Sequence, residues 1–195
     1  MKNLILPALV STAVLLGCSD NNDAVLNVNL TEFNGKTDLK ITVNVERTNS
    51  GIVLTGTIAG NLENIAFPEI QENPERQHYL WTIGAFEMFV SGKDGAYIEY
   101  NFGFNQNYEQ INLTGYRTGQ SLPEIKNPPK ITSRFEDGKF VQVVEFSEDV
   151  IGNSKFSLTA VVILKDGTEL YFSNNHCGTK PDFHLECARN LTLSN

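Results

Sequence analysis

Three polar side chains that could bind a ligand occur in two neighbouring segments, residues 86–90 and 97–104. Glu87 in the first segment, and Glu99 and Asn101 in the second, alternate with apolar residues. This alternation is typical of strands that bury one face, so we expect the three polar side chains to be neighbours on the outward face. Like charges that close destabilise a sheet unless something bridges them, and the hydroxyls of a sugar could do so. The alternative is a solvated face on which Lys and Arg side chains cover the acids.

Two further elements carry residue types that suit a binding site. Arg117 is the best candidate for a positive group over an acidic or hydroxylated ligand, although it could equally pair with surface acids. The loop at residues 180–184 contains Phe183 and His184 and is stiffened by Pro181, a composition that is typical of a binding rim. The alternative is a structural plug, in which Phe183 covers one end of the core.

Strands must position these groups, because the body of the chain alternates apolar and polar residues and shows almost no helical periodicity. Asp94-Gly95, Asp137-Gly138 and Asp166-Gly167 are typical of hairpin turns. The fold class is therefore predicted to be all-β, an antiparallel β-sandwich that forms one domain over residues 25–195. We predict strands at residues 39–46, 52–59, 86–90, 97–104, 111–116, 130–135, 140–146, 156–164, 169–173 and 191–193.

Composition and missing motifs exclude several classes of function. The formal net charge is −8, and a surface this acidic repels phosphate backbones, so no nucleic-acid partner is expected. Three histidines and no tract rich in His and Cys argue against a transition-metal site. The sequence contains no Gly-x-Ser-x-Gly elbow, His-Glu-x-x-His motif or phosphate-binding loop. Glu87 and Glu99 could be imagined as a glycosidase pair, but on a flat sandwich face we expect them to bind rather than to cleave. We therefore do not expect an enzyme.

The N-terminal residues predict export. Lys2 precedes an apolar run at residues 4–16, which is shorter than the roughly 20 residues that cross a bilayer as a helix. The run ends in Leu15-Leu16-Gly17-Cys18, which resembles the lipobox of bacterial lipoproteins. The resemblance implies a signal peptide at residues 1–17 and an acylated Cys18 that holds the protein on a lipid bilayer. The alternative is an ordinary secretory signal with an incidental cysteine.

The residues after the lipobox indicate where the protein is sorted. Ser19, rather than Asp, follows the cysteine, which favours the outer membrane, with the domain on its periplasmic or its surface side. Residues 18–24 are predicted to be a lipidated tether. With Cys18 acylated, Cys177 and Cys187 are left as an even pair in an exported protein, so we predict a disulfide between them. Two free thiols are the alternative.

Five short blocks stand out in order along the chain: Tyr79-Leu80-Trp81, Phe86-Glu87-Met88-Phe89, and residues 97–102, 115–119 and 180–184. Together they resemble bacterial DOMON-like domains. The resemblance covers roughly residues 38–193 and implies a β-sandwich similar to family 9 carbohydrate-binding modules, with a binding function. In those modules a tryptophan and a glutamate at the spacing of Trp81 and Glu87 both contact the sugar. A second aromatic wall would have to come from Phe183, His184 or Tyr116, and the alternative for Trp81 is a rim residue packed over the sandwich end. These blocks follow one another along the chain in the same order as in the family.

Two other partners are compatible with this resemblance. The haem-binding cytochrome domains of some sugar dehydrogenases are similar, and they use a methionine and a histidine as axial ligands. Met88 with His176 or His184 would be the candidate ligands for haem, but a methionine on the inward face of a strand is more often core filling. We therefore expect no cofactor. An envelope protein that docks on the sandwich is the other possible partner besides a saccharide.

Overall fold

A computed structural model describes residues 24–194. The predicted signal peptide, the acylated Cys18 and the tether up to residue 23 lie outside the described residues. In the described range, no helix is long and apolar enough to cross a membrane.

The alternating segments form strands joined by turns and short 3-10 helices. Successive side chains of each strand point to opposite faces of its sheet, as the two-residue period requires. In residues 24–194 the strands are, in chain order, β1 (Val25–Glu32), β2 (Lys40–Thr48), β3 (Gly51–Ala59), β4 (Ala85–Ser91), β5 (Tyr97–Gly103), β6 (Tyr108–Leu113), β7 (Lys130–Glu136), β8 (Lys139–Phe146), β9 (Phe156–Ile163) and β10 (Glu169–Ser173).

The strands pair antiparallel and form two layers, which confirms the predicted fold class. The first sheet has the order β1-β2-β3-β8-β7, and the second has the order β6-β5-β4-β9-β10. β1 joins the two sheets, because residues 25–30 pair with β2 whereas Thr31 and Glu32 pair with β10. The chain therefore leaves one layer and enters the other within a single strand.

The connections between paired strands set the register of the hairpins: two residues, 137–138, join β7 to β8, and five residues, 92–96, join β4 to β5. Asp94-Gly95 between β4 and β5, and Asp137-Gly138 between β7 and β8, all have positive φ. Type I′ turns require this left-handed conformation, which Gly adopts freely and Asp tolerates. The β4–β5 turn places Glu87 directly opposite Asn101. The turn sequence thus determines which polar side chains meet on the second sheet.

Aromatic rings fill the space between the two sheets. Phe86 of β4 lies over Gly56 of β3, where a Cβ atom would come within 2.5 Å of the Phe86 ring. Phe146 of β8 contacts Tyr100 and Phe102 of β5, with ring centroids 5.4 and 5.7 Å apart. Full burial of a large apolar side chain contributes about 1.5–3 kcal/mol, so these contacts are a main source of sandwich stability.

The structure corrects three details of the predicted strands. β1 follows directly on the polar tether and was not predicted as a strand. The strand predicted at residues 111–116 begins earlier and ends at Leu113, because the backbone N–H of Thr114 donates to the carbonyl oxygen of Thr118 and closes a turn. The strand predicted at residues 191–193 is reduced to a single bridge to Phe156.

The close approach of the two sheets generates a prediction for Gly56→Ala. The added methyl group must displace the Phe86 ring, and overpacking of this kind costs about 1–3 kcal/mol of unfolding free energy. Urea unfolding of the full-length protein measures the loss. Thr57→Ala, a change on the opposite face of the same strand, is the control and should have a smaller effect. Equal stability of Gly56→Ala and the unmodified protein would contradict the packing described here.

Candidate functional site

The second sheet is buried on both of its faces, unlike the first. Nearly every residue of β4 and β9 is buried, whereas in β2 only alternate residues are. The inner face packs in the sandwich core, and the outer face carries a second apolar cluster. The buried members of that cluster are Phe89, Tyr97, Ile111, Leu113, Val161 and Phe183, with Trp81, Ile163 and Tyr171 packed against them.

A cavity of about 520 Å³ lies between this outer face and the segments that cover it. Its size is within the range of small-molecule sites, which is about 300–1,000 Å³. The expected flat face is therefore wrong, because loops before β4, after β6 and near the C-terminus rise around it. We call this cavity the outer cleft. Six residues singled out from the sequence line it: Trp81, Glu87, Glu99, Arg117, Phe183 and His184.

The floor of the outer cleft holds two carboxyl groups. Glu87 on β4 and Glu99 on β5 are diagonal neighbours, since Glu87 pairs with Asn101 and Glu99 pairs with Phe89. The two glutamates share one face of the sheet, but they are only 4% and 5% exposed. The Thr159 hydroxyl donates to Oε2 of Glu87 at 2.9 Å. The alternative was a solvated face on which Lys and Arg side chains cover the acids. The two glutamates are instead buried by the surrounding protein.

Burial and mutual repulsion change the ionisation of this pair. Desolvation, followed by the charge of Glu99, raises the pKa of Glu87 to about 8. Desolvation also raises the pKa of Glu99, opposed by its hydrogen bond from Asn101 and by the charge of Arg117. Glu87 therefore keeps its proton at neutral pH. With a proton on Glu87, the floor can donate as well as accept hydrogen bonds.

Asn101 lies next to the acids but is not among the residues that line the outer cleft. Its side chain is fully buried, and its Nδ2 donates to Oε1 of Glu99 at 2.9 Å. On the other side it pairs in register with Glu109 of β6. The carboxylate of Glu109 accepts from Arg76 Nε at 2.6 Å and also contacts His78. Asn101 thus positions Glu99.

Trp81 marks one end of the outer cleft. It belongs to the short 3-10 helix Leu80–Thr82, which precedes β4. Leu80 is fully buried and anchors this helix, with its side chain against Gly103 at the end of β5. The indole is half-buried against the outer apolar cluster and faces the cleft. Trp81 is therefore both a rim residue packed on the sheet, as in the alternative interpretation, and a wall of the cavity.

Arg117 marks the other end, near the start of β5. It has a φ of 52° in the turn after β6, and its backbone N–H donates to the Tyr97 hydroxyl at 3.3 Å. Its guanidinium Nη2 lies 3.0 Å from Asp182 Oδ1. The two predicted roles of Arg117 therefore coexist, since it pairs with an acid while it lines the cleft.

His184 is neutral in this environment. Desolvation, followed by the charge of Arg117, lowers its pKa to about 4. Its Nδ1 lies 2.7 Å from the Tyr97 hydroxyl. The same hydroxyl accepts from the Arg117 backbone N–H. A neutral imidazole carries one ring proton and one free lone pair, so His184 can both donate and accept hydrogen bonds without adding charge.

A disulfide between Cys177 and Cys187 holds the ends of the loop that covers the cleft, with Cα atoms 6.3 Å apart. The predicted pairing is confirmed. Phe183 in this loop is 8% exposed, and its ring centroid lies 6.0 Å from that of Tyr171 and 6.5 Å from that of Phe89. Phe183 therefore plugs the outer apolar cluster and contributes to the cleft wall at the same time.

The predicted haem ligands lie on opposite faces of the second sheet. Met88 is fully buried in the core between the sheets, whereas His184 packs on Phe89 and Tyr97 at the outer face. The two side chains cannot ligate one iron in this arrangement. His176 directs its Nε2 to the carbonyl oxygen of Thr31, at 2.8 Å. Within residues 24–194, no group of His, Cys, Asp or Glu side chains is arranged to hold a metal ion.

Several residues at the outer cleft were not predicted from the sequence. Gln120 and Tyr171 line it, and Arg189 supports it. Arg189 lies over the Tyr97 ring at 4.5 Å and donates from Nη1 to the carbonyl oxygen of His184. These contacts join segments far apart in the sequence, so strand alternation gives no signal for them. Tyr171 is the exception, because alternation along β10 places its side chain on the same face of the sheet as the two acids.

Comparison with solved structures supports the fold. The chain is similar to a proposed carbohydrate-binding protein from Bacteroides uniformis ATCC 8492, with a TM-score of 0.58, 12% identity and coverage of 86% of this chain and 84% of that chain. At this identity the likeness establishes the fold alone. A family 9 carbohydrate-binding module from Caldicellulosiruptor kristjanssonii, in complex with cellotriose, matches with a TM-score of 0.45, 8% identity and coverage of 76% and 72%. A score at that level carries no further argument.

No protein-family model matches the sequence, and no curated protein matches it. The class that the structure defines is an antiparallel β-sandwich with a ligand-sized cleft on the outer face of one sheet.

The raised pKa of Glu87 predicts how stability depends on pH. Unfolded Glu87 loses its proton near its ordinary pKa of 4.5, whereas folded Glu87 keeps it to about pH 8, so its contribution to stability is lost as pH rises between these values. His184 acts in the opposite direction between about pH 4 and 6.5. From pH 6.5 to 8 we therefore expect the free energy of unfolding to fall, with a contribution from Glu87 of at most about 1.4 kcal/mol per pH unit.

Urea unfolding at several pH values measures this slope. Glu87→Gln should flatten it, because an amide cannot titrate. Glu136→Gln is the control, since Glu136 is exposed and its Arg134 partner lowers its pKa, so that it does not titrate in this window. An unchanged slope in Glu87→Gln would show that Glu87 ionises normally in the folded protein.

Proposed function

We propose that this protein is a non-catalytic, carbohydrate-binding lipoprotein of the bacterial cell envelope, with the outer cleft as its sugar site. The observation that carries the proposal is the composition of that cleft. An indole forms one end, paired carboxyl groups form the floor, and a guanidinium with a neutral imidazole forms the other end. Aromatic faces for C–H surfaces and mixed donors and acceptors for hydroxyls are what a sugar requires.

The charge balance of the outer cleft supports an uncharged ligand. Asp182, whose pKa is lowered, carries negative charge, and Arg117 and Lys180 carry positive charge. Glu87 and His184 add none at neutral pH, because their pKa values are about 8 and about 4. The lining therefore has little net charge although the whole protein is acidic. Such a site favours a ligand that offers many hydroxyls over an anion or a cation.

The arrangement of the two glutamates supports binding rather than cleavage. Glycosidases place two carboxyl groups on either side of the bond that breaks. Glu87 and Glu99 instead occupy adjacent strands of one sheet and form a common floor. A sugar above them meets both carboxyl groups on the same side. The proposal is therefore a binding site in which Glu87 donates and Glu99 accepts.

The similarity in fold to a proposed carbohydrate-binding protein from Bacteroides uniformis is consistent with this proposal. The envelope location depends on the N-terminal sequence, in which Gly17-Cys18 follows the apolar run of residues 4–16. We propose that acylated Cys18 holds the domain on the outer membrane, where glycans are accessible.

A glycan screen with the full-length protein tests the sugar site, with tryptophan fluorescence as the readout because Trp81 is the only tryptophan. We expect at least one neutral glycan to shift the emission of Trp81. Isothermal titration should then show that Trp81→Ala weakens binding by about tenfold or more, through loss of the stacking surface. Glu99→Gln should weaken it as well, because an amide replaces one of the two carboxyl oxygens that face the cleft.

Phe135→Ala is the matched control for the aromatic substitution. Phe135 is 57% exposed on the edge strand of the other sheet, so its loss should leave glycan affinity unchanged. Circular dichroism confirms that each variant is folded. Wild-type affinity in folded Trp81→Ala and Glu99→Gln would rule out the outer cleft as the sugar site.

Membrane attachment has a separate test. Cys18→Ser removes the thiol on which the proposed lipidation depends, so the protein should move from the membrane fraction to the soluble envelope fraction, without the mass of the lipid. Cys177→Ser with Cys187→Ser is the control, since it removes two cysteines that the lipid does not use. Membrane association that survives Cys18→Ser would contradict lipid anchoring.

A further inference from the structure

Two exposed tyrosines stand at the two ends of the outer cleft. Few large apolar side chains are exposed in residues 24–194, and Tyr79 and Tyr116 are among them, at 67% and 53%. Tyr79 adjoins Trp81, and Tyr116 adjoins Arg117, the two residues that mark the cleft ends. When a ligand contacts an exposed aromatic ring beside a binding cleft, the ring buries apolar surface and gives up few contacts within the protein.

Tyr79 is held in an unusual conformation that presents its ring. Its φ is 61°, a left-handed value that is costly for an aromatic residue. The backbone N–H and the hydroxyl of Thr82 both donate to the Tyr79 carbonyl oxygen, at 3.0 and 2.7 Å, and fix the turn. The Tyr79 ring meets the Trp81 ring edge to face, with centroids 5.4 Å apart. The exposed ring therefore extends the aromatic wall of the cleft outward.

Tyr116 is fixed in a comparable way at the opposite end. Its hydroxyl donates to Oδ2 of Asp182, which is also the partner of Arg117. The Arg117 guanidinium lies 5.9 Å from the centre of the Tyr116 ring. The ring is therefore oriented by two residues that line the cleft, while it remains exposed to solvent.

The separation of the two ends follows from the strand that joins them. The Trp81 end lies by Gly103, against which Leu80 packs, and the Arg117 end lies by Tyr97, whose hydroxyl it binds. These residues bound β5, and its six residue steps of about 3.3 Å span roughly 20 Å. The strand beneath the cleft is therefore longer than one sugar unit, and an exposed aromatic ring stands beside each end of the cleft.

We infer that the outer cleft binds the interior of an oligosaccharide chain, with Tyr79 and Tyr116 as outer platforms on which the flanking sugar units stack. This inference rests on the proposed function and adds a ligand class to it, a chain of several linked sugars rather than a single sugar. The units above Glu87 and Glu99 supply the hydrogen bonds, and the flanking units supply apolar contact area.

Chain-length dependence tests the inference. Cello-, xylo- and manno-oligosaccharides, from monosaccharide to hexasaccharide, are titrated into the full-length protein by calorimetry. We expect affinity in the series that binds to rise with length beyond the disaccharide. Tyr79→Asn and Tyr116→Ser should each weaken binding of the hexasaccharide by roughly fivefold to tenfold and leave the shortest bound member nearly unchanged. Asn is chosen at position 79 because it tolerates a positive φ, so the turn is retained.

The control is Phe135→Asn, which removes an exposed aromatic ring on the other sheet and should not affect any member. Affinity that is independent of chain length, with Trp81→Ala still disruptive, would overturn the inference and leave the sugar site intact. A longer chain that binds more tightly but ignores both tyrosine substitutions would also overturn the assigned platforms. Binding of no member of the three series would overturn the inference, and a negative result in the wider glycan screen would remove the proposed function with it.

Discussion

The burial of two carboxyl groups on one face of a sheet is the constraint on which the site depends. Glu87 and Glu99 cannot both be ionised cheaply in a desolvated space, and one proton retained on Glu87 relieves the repulsion. Thr159 and Asn101 supply the hydrogen bonds that hold the pair in place. Without the surrounding loops, the same residues would be an ordinary solvated face with two normal acids.

The cover on that face is assembled from distant parts of the chain. The Cys177–Cys187 disulfide closes the C-terminal loop, Phe183 inserts into the outer apolar cluster, and Arg189 binds the carbonyl oxygen of His184. A loop of this length, closed by a disulfide, gains roughly 2–3 kcal/mol in the chain-entropy account. The disulfide therefore adds to these contacts in holding the loop in one conformation. It shields the acids from one side and leaves the outer cleft open.

Alternation in the sequence was sufficient to predict the sandwich and the shared facing of Glu87, Glu99 and Asn101, because a period of two is a local property. The depth of the site could not be predicted, since it arises where separate loops meet over the sheet. The same limit applies to Asn101. Its place on the same face as the acids is a local property, whereas its burial beside Glu109 and the partners of Glu109 is not. β1 was missed because its short alternation follows a polar tether.

The central claim is that the outer cleft, rather than any other surface, receives a sugar. A crystal structure of the full-length protein with its tightest-binding glycan tests this most directly. The account predicts sugar density between Trp81 and Arg117, with hydroxyls within hydrogen-bond distance of Glu87 and Glu99. Density elsewhere, for example in the smaller cavity of about 280 Å³ beside Tyr100 and Tyr108, with an outer cleft that holds no sugar, would contradict it.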